Sequence, residues 1–81
     1  MSYIIELYYK APADVRKESD FTSRVGKLGG RLSFREEPEA DGPQSVCLTY
    51  EFETLAKAES VADLLRQEGE HVEGPVEYAT D

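Results

Sequence analysis

Val46-Cys47-Leu48-Thr49-Tyr50-Glu51-Phe52 is the stretch on which the fold turns. Val46, Leu48, Tyr50 and Phe52 alternate with Cys47, Thr49 and Glu51, and a period of two means a strand with one dry face and one mixed face. Aromatic and β-branched side chains suit a pleated, packed surface. A face this apolar places the strand at the centre of a sheet.

On the carboxyl side, Thr54 can cap a helix, and Leu55, Ala58, Val61, Ala62 and Leu65 then share one helical face until Gly69 supplies a stop. Val72, Val76 and Tyr78 predict a last strand. Gly74-Pro75 interrupts its ladder, because proline has no amide to donate, which assigns it to an edge or a bulge.

On the amino side, Glu36 to Pro43 is acidic, with two prolines and Asp41-Gly42, a composition for a solvated turn between antiparallel strands. Before it, Arg31-Leu32-Ser33-Phe34-Arg35 predicts a short strand with Leu32 and Phe34 inward and the polar residues outward. Phe21, Val25 and Leu28 recur at i, i+4 and i+7, a helical stripe ended by Gly29-Gly30 and starting between Asp14 and Ser19. Ala11-Pro12-Ala13 separates that helix from a first strand over Tyr3 to Lys10, in which Tyr3, Ile5, Leu7 and Tyr9 share one side.

The order strand, helix, strand, strand, helix, strand is the split βαβ, or ferredoxin-like, arrangement of an α+β protein. It predicts a four-stranded antiparallel-type sheet of order 4-1-3-2. Right-handed crossovers put both helices on one side. Strands one and three are expected at the centre and parallel, with two and four at the edges.

With 81 residues there is room for one core, so residues 1–81 are read as one domain. The lone Cys47 excludes an internal disulfide and any multi-thiolate metal or iron–sulfur centre, and it fits a reducing compartment. With no long apolar run or signal-peptide pattern, the chain is read as cytoplasmic, complete as written and without membrane partners. The net charge is −8, but residues 1–35 carry seven basic and four acidic side chains whereas residues 36–81 carry Lys57 and Arg66 against 13 acids. The second part repels a polyphosphate and the first attracts one only weakly.

Two helices cover one side of such a sheet and leave the other side open. The open side is expected to carry Ile4, Glu6, Tyr8, Lys10, Arg31, Ser33, Arg35, Cys47, Thr49 and Glu51, with Ile4, Tyr8 and Cys47 as an apolar centre. A nucleic-acid reader of this topology stacks bases on two or three aromatics in basic surroundings, and Tyr8 stands alone. A metal carrier needs a Cys-x-x-Cys pair in the first loop, which reads Lys10-Ala11-Pro12-Ala13. An amino-acid sensor needs a glycine there, and a phosphate-hydrolysing site needs an arginine and backbone donors, for which Arg16 is the nearest residue. His71 reads as an exposed edge residue and Cys47 as a packing group. Glu6 and Glu51 can meet as a carboxylate pair or be neutralised by Lys10, Arg31 or Arg35. Glu36, Glu37, Glu39 and Asp41 lack the spacing of a calcium loop.

No catalytic residue, metal ligand or cofactor is assigned. The expected function is a small binding or assembly module acting as a homodimer through the open face, where a protein or a small polar ligand is the other occupant considered. The alternative is a small enzyme of the dimeric α+β barrel kind, with a pocket between two sheet faces lined by Glu6, Tyr8, Cys47, Thr49 and Glu51.

Overall fold

A computed structural model describes residues 1–42 and 44–78; Pro43, at the end of the acidic turn, and residues 79–81 lie outside the described residues. The chain runs β1 (Ser2–Lys10), α1 (Val15–Lys27), β2 (Gly30–Glu36), β3 (Ser45–Phe52), α2 (Leu55–Gln67) and β4 (His71–Tyr78). The sheet order is β2-β3-β1-β4, the predicted 4-1-3-2 read from the other edge. This is an α+β, ferredoxin-like fold.

All three neighbouring pairs are antiparallel, including the central β1–β3 pair. The expectation that strands one and three run parallel is therefore corrected. A crossover through α1 makes β1 parallel to β2, but β3 lies between them, and the hairpin reversal from β2 sends β3 down against β1.

The core forms where the alternation said it would. Ile5, Leu7, Tyr9, Val46, Leu48, Tyr50 and Phe52 face Phe21 and Val25 of α1 and Ala58, Val61, Ala62 and Leu65 of α2. Asp14 caps α1 by accepting from the Lys17 amide at 3.1 Å, and Thr54 caps α2 by accepting from the Lys57 amide at 3.2 Å. The helix start is thereby fixed at Val15. Leu28, read as part of the helical stripe, lies past the end of α1 and is half-exposed, as is Leu55 at the start of α2. Gly30 is where α1 gives way to the sheet: a Cβ there would lie 2.5 Å from the Phe52 ring and 2.6 Å from the Val25 side chain.

Two bulges displace the simple alternation. Between Leu32 and Phe34 the extra residue is in β2, where Leu32 pairs with Tyr50 and Phe34 already with Thr49. Between Glu73 and Val76 it is in β4, opposite Ile5. Gly74 makes the second bulge feasible, since its φ of +100° is left-handed and a Cβ would lie 2.9 Å from the Ile4 carbonyl oxygen. The Arg66 guanidinium of α2 donates to the carbonyl of Val72 at 3.0 and 3.1 Å and to that of Gly74 at 2.7 Å, so acceptors freed by the bulge are satisfied.

Candidate functional site: the open sheet face

One extra residue in a strand turns every later side chain to the other face. In β2 this brings Phe34 onto the open face and takes Arg35 off it, reversing the expected placement of both. Arg35 lies under α1, where it donates to Glu18 at 2.5 and 3.0 Å and to Glu37 at 2.9 Å. Glu18 also accepts from the Tyr9 hydroxyl, which in turn accepts from the Asp14 amide at 2.9 Å. The Arg35 guanidinium holds the Glu18 carboxyl below the usual carboxylate range. Arg35 therefore belongs to the covered side.

In β4 the bulge acts in the opposite sense. Val72 pairs with Leu7 on the helix side, and without the extra residue Val76 and Tyr78 would follow it inward. Instead Val76 pairs with Ile4 and Tyr78 with Ser2, on the open face. The sequence reading missed Phe34, Val76 and Tyr78 as open-face residues. Gly74-Pro75 was the legible signal for the last two; nothing in Arg31–Arg35 announces the bulge at Ser33.

The other predicted residues fall on this face in cross-strand rows. Arg31, Glu51, Ile4 and Val76 make one row. Phe34, Thr49, Glu6 and Glu73 make the next, and Glu36, Cys47, Tyr8 and His71 the one beyond it. Lys10 ends β1 opposite Ser45, and Ser33 sits in the bulge with its hydroxyl 3.4 Å from the Thr49 carbonyl. Cys47, Thr49 and Glu51 are buried although no helix lies over them, because neighbouring side chains on the same face cover the central strand.

The two ends of the face differ in chemistry. At one end Ile4, Phe34 and Tyr78 surround a shallow groove of about 590 Å³ with Arg31, Ser33, Thr49 and Glu51. Phe34 is 58% exposed, Val76 55% and Tyr78 48%. Glu51 accepts from both sides of the Arg31 guanidinium edge, the Nε at 3.0 Å, and from the Ser2 hydroxyl at 3.1 Å. Arg31 holds the Glu51 carboxyl below its usual range, so this end is electrically neutral.

At the other end a groove of about 560 Å³ is lined by Tyr8, Lys10, Cys47, His71, Glu73, Glu36 at the end of β2, and Glu37 and Glu39 of the turn. Glu6 accepts from the Tyr8 hydroxyl at 3.3 Å and from the Cys47 thiol at 3.7 Å. The His71 ring stands edge-on to Tyr8 at 5.4 Å, and its Nε2 is 3.9 Å from Glu73. Burial, with the Glu6 charge adding to it, pushes the Cys47 thiol up, and burial pushes the Tyr8 phenol up as well. Both stay protonated at neutral pH, so neither is an activated nucleophile or base. Glu6 and Glu51 do not share a site: Glu6 is turned to Tyr8 and Cys47 of the adjoining row, and Glu51 to Arg31 and Ser2. Among the described residues no group of three or more His, Cys, Asp or Glu is placed to hold a metal ion.

No protein-family model, curated protein or solved structure matches this chain. Among the described residues no helix is long and apolar enough to cross a membrane.

Proposed function

We propose that this chain is a non-enzymatic binding or assembly module that works as a homo-oligomer, with the open sheet face as its contact surface. The observation that carries this reading is the apolar end of that face, where Phe34, Val76 and Tyr78 stand out beside Ile4. Contiguous apolar groups rimmed by polar ones are how protein contacts are built. The sheet edges offer less. Both carry a bulge, and β4 also carries Pro75, devices that disrupt pairing with another strand. The acidic end disfavours nucleic acid, and a buried, protonated Cys47 suits a reducing, cytoplasmic setting.

Size exclusion with light scattering at micromolar concentration tests the reading. Wild-type protein is expected at twice the chain mass and Phe34→Asp, with an unchanged circular dichroism spectrum, at the chain mass. A monomeric wild type, or a dimer indifferent to Phe34→Asp, overturns it.

The second reading, an enzyme of the dimeric α+β barrel kind, draws on the groove that gathers Tyr8, Cys47, His71 and Glu73. It needs that groove to be enclosed by the second copy. The raised Tyr8 and Cys47 groups weigh against it.

A further inference from the structure

The bulge in β4 shapes the open face, but what fastens it reaches in from the helix side. In the bulged register Val76 pairs with Ile4 and Tyr78 with Ser2, and both are about half exposed. A β4 without the extra residue would set Val76 opposite Tyr3, on the side packed by the helices, where Tyr3 already lies against the core. The regular register therefore offers an apolar burial that the bulged one forgoes. Something has to favour the bulge in return.

Three features of the chain bear on the choice. Gly74 permits the left-handed backbone at φ +100°, and Pro75 withholds one donor from the ladder. Neither is an attraction. Arg66 of α2 is one: its Nε and Nη2 donate to the Val72 carbonyl at 3.1 and 3.0 Å, and the same Nη2 donates to the Gly74 carbonyl at 2.7 Å. Its Nη1 is 3.4 Å from Asp63, one turn back on the helix. Two residues of regular strand hold carbonyls of the same edge about 6.8 Å apart, whereas two oxygens bonded to one nitrogen at 2.7 and 3.0 Å stand within about 6 Å of each other. The kink at Gly74 has drawn them together. One guanidinium nitrogen can serve both carbonyls only in the bulged geometry, and a contact made in one of two arrangements alone shifts the balance between them.

We infer that Arg66 is a positioning residue for the open face: by bridging the Val72 and Gly74 carbonyls from α2, it holds β4 in the bulged register and so fixes Val76 and Tyr78 on the side that no helix covers. The inference concerns the single chain. Only its consequence for self-association rests on the open-face reading.

Cross-strand proton contacts in NMR spectra of labelled protein read the register directly. Wild type is expected to show Val76–Ile4 and Tyr78–Ser2 contacts. Arg66→Gln is expected to lose them and to gain contacts between Val76 and Tyr3, while the β1–β3 contacts stay as in wild type. Arg66→Lys, whose ammonium can also donate to two carbonyls, is expected to restore the wild-type pattern, which a general loss of stability would not explain. In a Cys47→Ser background, the thiol of Val76→Cys is expected to react about tenfold more slowly once Arg66→Gln is added, because it turns under the helices. A folded Arg66→Gln that keeps the Val76–Ile4 and Tyr78–Ser2 contacts, or an Arg66→Lys that loses them as fully as Arg66→Gln, overturns the inference. Should Arg66→Gln fail to fold, Arg66→Met, which keeps an apolar stem without donors, is judged by the same contacts. On the open-face reading Arg66→Gln also weakens the dimer, although Arg66 lies outside the contact. A wild type that scatters as monomer overturns that reading and leaves the register result standing.

Discussion

The two faces of the sheet use their charged groups in opposite ways. Under α1, Arg35 and Glu18 join Tyr9 and Asp14 in one network that fastens the helix, which itself buries only Phe21 and Val25, to the strands below. On the open face, Arg31 and Glu51 neutralise each other beside apolar groups that nothing covers, while Glu6 and Glu73 are left facing across β1 and β4. A charge on the covered face is part of folding, and a charge on the open face selects what can approach. Adjacent residues of one strand can therefore differ greatly in what their removal does.

The sharpest break in this comparison is the pair Leu48→Ala and Thr49→Ala, neighbours pointing to opposite faces. Leu48→Ala leaves a cavity in the core and is expected to cost about 2–5 kcal/mol in urea unfolding, whereas Thr49→Ala is expected to cost less than about 1 kcal/mol. Similar losses would mean that the open face is structural throughout. Gly74→Ala comes next. It forces a side chain into a left-handed conformation against the Ile4 carbonyl, at a cost of roughly 1–3 kcal/mol, and by disturbing the bulge it should also weaken self-association. A variant that melts lower but associates as before would detach the bulge from the contact.

The two arginines sharpen the comparison further. Arg35→Gln is expected to lower the melting temperature more than Arg31→Gln, because Arg35 is 32% exposed and bonds both Glu18 and Glu37, whereas Arg31 is 78% exposed and bonds Glu51 alone, which keeps the Ser2 hydroxyl. Equal losses would erase the distinction between the faces. In acid the sign follows from the lowered Glu18 carboxyl. Its ionised form stabilises the fold above the unfolded carboxyl pKa of about 4, and that contribution is lost as the pH falls through the lower folded value. Glu18→Gln should therefore melt lower at neutral pH and show a flatter acid limb than wild type. The smallest effect is at Cys47, whose thiol should react with a disulfide reagent more slowly in the folded chain than in urea, with Cys47→Ser melting close to wild type. A fast-reacting folded thiol would return the Tyr8–Cys47–His71 groove to consideration as a reactive site.

Most of the covered face could be read directly, because Val46, Leu48, Tyr50 and Phe52 repeat every two residues and Ala58, Val61, Ala62 and Leu65 repeat at helical spacing. Periodicity is a property of neighbours along the chain. Face assignment at Phe34, Arg35, Val76 and Tyr78 was not legible in the same way, since it depends on how many residues of one strand stand opposite another. Gly74-Pro75 hinted at one irregularity, while the extra residue at Ser33 is visible only against Thr49 and Tyr50 of the neighbouring strand.

What the sequence determined by itself was the element order, the sheet order that follows from two right-handed crossovers, the cap at Thr54, and the dry side of each central strand. These rest on local propensity and on a core too small to be shared between two sheets. Only the tertiary structure decided the antiparallel direction of the central pair, the two bulges, and with them which side chains the uncovered face presents. The physical reason is that register is fixed between strands: one extra residue costs little locally, yet it exchanges inside for outside along the rest of the strand.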